Sequence, residues 1–148
     1  MIYEFCAENV TLLEKAMQAG ARRIELCDNL AVGGTTPSYG VTKAAVELAA
    51  KYDTTIMTMI RPRGGDFVYN DLEVAIMLED IALTAQAGSQ GVVFGALTAD
   101  KKLDKANLEK LIAASKGMEI VFHMAFDELS DEDQLEAIDW LSQAGVRR

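Results

Sequence analysis

The chain alternates short apolar runs with longer amphipathic stretches, and glycines mark the boundaries between them. Gly20, Gly88, Gly117 and Gly145 each follow an amphipathic stretch and precede the next strand-like run. Glycine is the favoured residue just past the last turn of a helix, so each position predicts a helix end before a strand. Strict strand–helix alternation predicts a parallel sheet with helices packed outside it.

Charged residues inside the strand runs indicate which kind of parallel sheet this is. An open doubly wound sheet and a (β/α)8 barrel both fit the repeat. Central strands of an open sheet are apolar on both faces, so the charges favour a TIM-type (β/α) barrel. A full barrel typically needs about 200 residues or more, and this chain has 148. We predict one α/β domain over residues 1–148, an incomplete barrel of about five βα units plus the start of a sixth strand.

The element boundaries come from apolar runs, caps and breakers. The strands are predicted at Ile2–Cys6, Ile24–Cys27, Thr54–Arg61, Val92–Phe94 and Glu119–Phe126. Four helices are predicted at Val10–Ala19 with Asn9 as N-cap, Val41–Tyr52, Lys105–Ser115 with Asp104 as N-cap, and Ser130–Ala144. A fifth, long helix starts with a capping box of Asn70 and Glu73 and reaches Ala87.

Composition excludes several classes of function. The formal charge of −9 and the pI near 4.6 argue against a nucleic-acid or anionic-membrane partner, which would need a basic face. No apolar run approaches the roughly 18 residues of a membrane span, and the acidic start of the chain is unlike a signal peptide. Walker A, Rossmann and nucleophile-elbow motifs are absent, so no nucleotide cofactor is indicated. Two cysteines without secretory features predict reduced thiols and a cytoplasmic location.

Cys6 and Cys27 are the only cysteines, and each stands two residues after a glutamate at the end of a strand run. Because side chains alternate along a strand, Glu4 shares a face with Cys6, and Glu25 shares one with Cys27. Neighbouring strands would bring these groups to the C-terminal end of the sheet, where α/β proteins place their sites. Thiols in register can share one soft metal ion, although a free buried cysteine can equally be a small core residue.

The fifth strand run carries the only histidine, His123. Alternation predicts that His123 and Asp127 share a face with Glu119, towards the same end of the sheet. His123 is either an acid–base group or a satisfied core residue, and a single histidine excludes a His-rich zinc or iron site from this chain alone. On the third run, alternation puts Met57 and Met59 on one face, where methionines usually fill the core.

The loop after the third strand run, Arg61–Phe67, combines two arginines with a Gly-Gly pair. Arg61 and Arg63 offer bidentate donors, and Gly64 and Gly65 expose backbone N–H groups, a set suited to a carboxylate or phosphate. The alternative is a tight turn in which Arg61 neutralises one of the interior glutamates. Both interpretations fit the residues.

Several stretches together resemble the copper homeostasis protein CutC family, from residue 2 to the end of the chain. The matching segments are Glu4–Cys6, Arg23–Cys27, Gly33–Ser38, Ile60–Phe67, Gly91–Thr98 and Phe122–Asp127. The resemblance implies a TIM-type barrel and a cytosolic, often dimeric protein with a role in copper handling. It also implies that Cys6 and Cys27 are Cu(I) ligands.

Two departures from the family pattern matter. The family usually has arginine where this chain has Met124, and strand alternation predicts that this side chain points away from the barrel interior. Family members also continue for several strands past the position of Arg148, with a Thr-Ser-Gly-Gly-like stretch and a further Gly-rich loop. We therefore expect a segment or shortened form of a longer protein, with open strand edges.

Three hypotheses about function remain. The first is a Cu(I)-binding or copper-trafficking protein that uses Cys6 and Cys27. The second is a TIM-barrel enzyme for a small anionic metabolite; the anion would be held by Arg61, Arg63, Gly64 and Gly65, and the acid–base candidates are Glu4, Glu25, His123 and Asp127. The third is a scaffold subunit without a site of its own. A homo-oligomer is expected in each case from the family resemblance.

Overall fold

A computed structural model describes residues 1–148 and contains five strands that alternate with five helices. The strands are β1 (Glu4–Glu8), β2 (Arg23–Cys27), β3 (Thr55–Met59), β4 (Gly91–Phe94) and β5 (Glu119–Phe122). The helices are α1 (Leu13–Gln18), α2 (Tyr39–Ala49), α3 (Asp71–Ala87), α4 (Lys105–Ala114) and α5 (Asp131–Gln143). Two short 3₁₀ turns cover Leu30–Val32 and Met124–Glu128.

The sheet has the strand order β1-β2-β3-β4-β5, and every neighbouring pair is parallel. In a doubly wound sheet, the order in which successive strands are added reverses at a switch point. The sequential order found here is that of a (β/α) barrel wall. The predicted α/β, TIM-type fold is therefore confirmed, as a barrel that does not close. Past β5, Arg147 N donates to Ile120 O at 2.9 Å and Phe122 N donates to Arg148 O at 2.7 Å. These bonds continue the ladder where the sixth strand is predicted to start.

Helix starts follow local capping chemistry. The capping box of α3 is confirmed: Asn70 Oδ1 accepts from Glu73 N at 3.0 Å, and Glu73 Oε2 accepts from Asn70 N at 2.9 Å. Ser130 caps α5 in a similar way by accepting from Asp133 N. The expected Asn9 cap is wrong, because Asn9 has φ 58° and its side chain binds Val10 N. The first helix therefore begins later, at Leu13.

Three strands end at residues other than the predicted ones. β1 runs two residues further than Cys6, so Cys6 lies in mid-strand instead of at the end. β3 ends at Met59, before Arg61, and β5 ends at Phe122 instead of Phe126. The apolar pattern continues past both ends because the following residues are buried too, although their backbone no longer belongs to the sheet.

The two faces of the sheet bury different cores. The outer face and the helices enclose two apolar clusters, one around α3 and α4 and one around α1 and α2, and a third cluster packs α5 against the loops after β3, β4 and β5. The inner face carries a smaller cluster made of Cys27, Met57, Met59, Val93 and Val121. None of the helices is long and apolar enough to cross a lipid bilayer.

The absence of a side chain at Gly91 allows Met57 to pack closely against β4 on the inner face. A Cβ at this position would lie 2.1 Å from Met57 Cε and 2.6 Å from the Glu119 carbonyl oxygen. The methionine side chain therefore crosses directly over the β4 backbone, where only a hydrogen leaves room.

Candidate functional site

Two thiols and a carboxylate form a compact cluster on the inner face of the sheet. The Sγ atoms of Cys6 and Cys27 are 4.0 Å apart, and Glu25 Oε1 lies 3.9 Å from each of them. The structure thus unites three of the residues singled out from sequence. It is the one group of three or more His, Cys, Asp or Glu side chains in the chain whose ligand atoms are close enough to hold a metal ion.

Strand register explains how the three groups meet. Cys6 stands opposite Glu25, and Cys27 stands opposite Glu8, so the two cysteines are two residues out of register. The expected side-by-side thiols are therefore diagonal neighbours, and Glu25 fills the position directly across from Cys6. Cys6 is exposed, Glu25 is half-buried and Cys27 is buried, which gives the cluster one open side.

The environment of the cluster shifts the pKa values of the two thiols in opposite directions. A hydrogen bond with the Cys27 thiol lowers the pKa of Cys6. The same hydrogen bond, together with burial, raises the pKa of Cys27. Burial raises the pKa of Glu25, and the negative charge of Glu4 adds to the shift. Cys6 is therefore the thiol that ionises first, and thiolates are the metal-binding form.

The dimensions of the cluster fit a three-coordinate metal ion. The three atoms form a nearly equilateral triangle with sides of 4.0, 3.9 and 3.9 Å. The point equidistant from them lies about 2.3 Å from each, which matches a metal–thiolate bond of about 2.3 Å and slightly exceeds a metal–carboxylate bond of about 2.0–2.2 Å. A metal ion could bind there after deprotonation, without rearrangement of the strands.

Buried apolar side chains pack with Cys27 on the inner face of the sheet. Met57 and Met59 are 0% and 1% exposed and belong to the same apolar cluster as Cys27. This placement agrees with the core interpretation of the two methionines. Gly34, in the loop after β2, lies against the thiol so closely that a Cβ there would be 3.0 Å from Cys27 Sγ.

Glu4 does not join the cluster at the C-terminal end of the sheet. It is the first residue of β1, opposite Arg23, and forms ion pairs with Arg23 and Arg148. Arg23 also reaches Glu119 at 3.3 Å. The prediction placed Glu4 too near the strand end because the strand begins and ends two residues later than expected. Its acid–base role stays a prediction, and its charge still acts on Glu25.

His123 is a buried, neutral imidazole. Its Nδ1 accepts a hydrogen bond from Ala125 N at 3.2 Å, and its Nε2 is buried without a partner. The ring lies 5.0 Å from that of Phe67. Burial and the nearby Arg61 charge lower the pKa of His123 to about 3. An acid–base role for His123 stays a prediction.

Asp127 lies outside the strand face on which it was predicted. The 3₁₀ turn Met124–Glu128 replaces the last part of the expected strand, and Asp127 is exposed on it. The expected orientation of Met124 is also wrong for the same reason. Its methyl group would lie 2.8 Å from a Cβ at Gly33, so Met124 packs against the loop after β2.

The loop after β3 directs its arginines towards the protein itself. Arg61 is 2% exposed and donates to the carbonyl oxygens of Val32, Gly34 and Gly65. It therefore pairs with neither of the interior glutamates. Anion binding by this loop stays a prediction.

Arg63 and the Gly-Gly pair serve the same loop. Arg63 binds Glu73 at 2.5 Å and Asp66 at 3.0 Å, and it also donates to three backbone carbonyls. Gly64 lies so close to Val32 that a Cβ would be 2.8 Å from the valine Cβ. Gly65 takes the left-handed φ of 84° that directs its carbonyl to Arg61.

Glu8 lies on the same strand face as the thiol cluster and was not predicted from the sequence. It is the last residue of β1, opposite Cys27, and its Oε2 accepts from Leu30 N at 2.7 Å. The alternation Glu4, Cys6, Glu8 was the available signal, since all three share one strand face. It was hidden because β1 was expected to end at Cys6.

Comparison with known proteins gives one consistent relationship. The sequence profile of the CutC family matches residues 1–148. A CutC family protein of Enterococcus faecalis is 54% identical over 148 residues, which cover 100% of this chain and 71% of that protein. The crystal structure of a Streptococcus agalactiae protein named copper homeostasis protein CutC matches with a TM-score of 0.96 at 49% identity, over 100% of this chain and 70% of that one.

A more distant structure shares the fold alone. A protein described as a fructose-1,6-biphosphate aldolase, from Coccidioides immitis, matches with a TM-score of 0.68 at 14% identity, over 97% of this chain and 53% of that one. The CutC matches, by contrast, extend over every residue of the chain at about half identity. The chain belongs to the CutC family.

Proposed function

We propose that this CutC family member binds Cu(I) through Cys6, Cys27 and Glu25 and thereby serves copper homeostasis. The observation that carries the proposal is the triangle of two sulfur atoms and one oxygen, whose centre lies about 2.3 Å from each ligand atom. The name of the Streptococcus agalactiae relative supports the choice of copper.

The ligand types favour a soft ion that is held and later released. Thiolates select Cu(I), whereas a carboxylate oxygen is a harder ligand that suits Mg²⁺, Ca²⁺ or Mn²⁺ better. A set of two sulfurs and one oxygen therefore binds Cu(I) less tightly than three sulfurs would. Cys6 is exposed and has the lower thiol pKa, so it is the ligand that an incoming ion meets first. These properties suit a protein that passes copper on.

The proposal assigns this function to the cytoplasm, because two free thiols remain reduced there. A homo-oligomeric state stays a prediction from the family resemblance, and light scattering of the purified protein would measure it.

The test is a competition for Cu(I) between the reduced protein and a colorimetric chelator. We expect one Cu(I) per chain and loss of binding in Cys6→Ala, Cys27→Ala and the double variant. The matched control is Glu47→Gln, an exposed helix position remote from the thiols, which should retain the wild-type affinity. Wild-type affinity in the double cysteine variant would refute the proposal.

A further inference from the structure

The loop after β2 covers the buried thiol of the cluster. Gly34 has a left-handed φ of 89°, and its α-carbon lies against Cys27, where an added Cβ would be 3.0 Å from Sγ and 3.3 Å from the cysteine Cβ. Cys27 is 1% exposed. The position of this single glycine therefore decides how much room the thiol has to change rotamer, and whether reagents reach it.

Arg61, in the loop after β3, holds the loop after β2 in place. Its Nη1 donates to Val32 O at 2.7 Å and to Gly34 O at 3.0 Å, and its Nη2 donates to Gly65 O at 2.8 Å. The guanidinium thus joins the loop after β2 to the loop after β3. Its backbone adds two bonds to Thr36, since Arg61 N donates to Thr36 Oγ1 and Thr36 N donates to Arg61 O, both at 2.9 Å.

Because Arg61 is buried, its bonds to the two loops require an arginine at this position. An unpaired buried donor costs free energy. Nη1 and Nη2 of Arg61 bind carbonyl oxygens of both loops, whereas its Nε is buried without a partner. Lysine offers a single ammonium on a flexible stem and cannot reproduce the planar fork that reaches both loops. No other side chain donates a hydrogen bond to Gly34 O.

We propose that Arg61 is a positioning residue for the thiol cluster. Through Gly34 it holds the Cys27 thiol towards Cys6 and Glu25 and shields it from solvent. The inference rests on the proposed Cu(I) site for its purpose, but the contact between Arg61, Gly34 and Cys27 can be tested without metal.

The metal-free test is alkylation of the native, reduced protein, with the two cysteines followed separately by peptide mass spectrometry. In the wild type, Cys6 should react first and Cys27 slowly. In Arg61→Lys the rate at Cys27 should rise at least about tenfold, which corresponds to about 1.4 kcal/mol less free energy for local opening. An unchanged Cys27 rate in this variant would overturn the proposal.

Arg63→Lys is the matched control. Arg63 also donates to backbone carbonyls and in addition forms ion pairs with Asp66 and Glu73, but all its partners lie in its own loop or at the start of α3. It should therefore leave the Cys27 rate within about twofold of the wild type, even if stability falls. Equal increases in both variants would indicate general loosening and would refute a specific role for Arg61.

A second variant covers the case in which Arg61→Lys does not fold. Gly34→Ala keeps the guanidinium but inserts a methyl group against Cys27 Sγ. X-ray absorption of the Cu(I)-loaded protein should then show fewer sulfur neighbours than in the wild type, with accelerated alkylation of Cys27 in the metal-free protein. A wild-type copper spectrum together with a wild-type alkylation rate would overturn the proposal.

The two proposals fail in different ways. If the wild type binds no Cu(I), the proposed function fails, while the alkylation rates still decide whether Arg61 positions Cys27. If the wild type binds Cu(I) but Arg61→Lys and Gly34→Ala leave both the spectrum and the alkylation unchanged, only the positioning role fails.

Discussion

Cys6 and Cys27 meet diagonally across two parallel strands, with their sulfur atoms 4.0 Å apart. Cys6 stands opposite Glu25, and Cys27 stands opposite Glu8. A step of two residues along a strand is about 6.6 Å and neighbouring strands are about 4.8 Å apart, which puts the two α-carbons about 8 Å apart. Disulfides rarely form across more than about 7 Å without backbone movement. The register therefore argues against a disulfide between Cys6 and Cys27.

This register predicts how the protein responds to oxidation. Diamide with glutathione should convert Cys6 to a mixed disulfide and leave Cys27 as a thiol, since Cys6 is exposed and Cys27 is buried. Intact-protein mass spectrometry would detect the added glutathione. The urea-unfolded chain is the control, because there the two thiols are free to close on each other. If the native monomer instead mainly loses the mass of two hydrogen atoms, Cys6 and Cys27 have formed a disulfide within the chain, which would contradict the prediction.

Glu25 should contribute to Cu(I) affinity as the third ligand. Glu25→Gln removes the charged oxygen while preserving the size of the side chain, and we expect the affinity to fall by roughly tenfold or more. Chelator competition measures this change, with Glu47→Gln, the same substitution at an exposed position, as control. If both variants bind as the wild type does, coordination involves the thiols alone.

His123 should make the protein less stable in mild acid. Its folded pKa is about 3, below the ordinary value of 6.5, so between these values the unfolded chain binds the proton and the folded chain does not. Stability from this group is present above pH 6.5 and is lost as the pH falls towards 3. One such group costs roughly 1–2 kcal/mol between pH 6.5 and pH 5.

Urea unfolding of wild type and His123→Asn at several pH values tests this dependence. Asparagine cannot titrate, and its side-chain oxygen can still accept from Ala125 N. The variant should be less stable throughout but should lose less stability between pH 6.5 and pH 5. Parallel pH profiles for the two proteins would show that His123 is not the group responsible.

Two glycine-to-alanine substitutions should have opposite effects. Gly91→Ala would place a methyl group 2.1 Å from Met57 Cε and 2.6 Å from a backbone oxygen, and should destabilise the protein by about 3 kcal/mol or more. Gly40→Ala lies in α2 with only Ser38 Oγ nearby, at 3.9 Å, and should stabilise it by about 0.5–1 kcal/mol. Thermal unfolding measures both, and similar midpoints would refute the packing argument at Gly91.

The order of elements and several of their caps could be predicted because they depend on local chemistry. The Asn70–Glu73 capping box and the Gly88 stop are completed within a few residues of sequence, and both occur as expected. The Asn9 prediction fails because a cap residue can also bind its own neighbour, and here its side chain binds Val10 N.

Strand ends were the least predictable feature, and they displaced several site residues. Apolar residues continue past Met59 and Phe122, but the chain leaves the sheet at both points. Alternation of side chains holds only while the backbone stays extended, so it gave the wrong face for Asp127 and Met124. The same uncertainty at β1 hid Glu8.

By itself, the sequence determined the alternating α/β architecture, the family, and the presence of two thiols that share strand faces with carboxylates. The architecture and the shared strand faces follow from periodicity over a few residues, and the family follows from the resemblance of segments such as Ile60–Phe67. Only the tertiary structure decided that Glu25, and not Glu4, completes the triangle, and that Arg61 is bound to loop carbonyls instead of a glutamate. The reason is that strand register and loop packing depend on contacts between distant segments, and a shift of two residues changes which side chains meet.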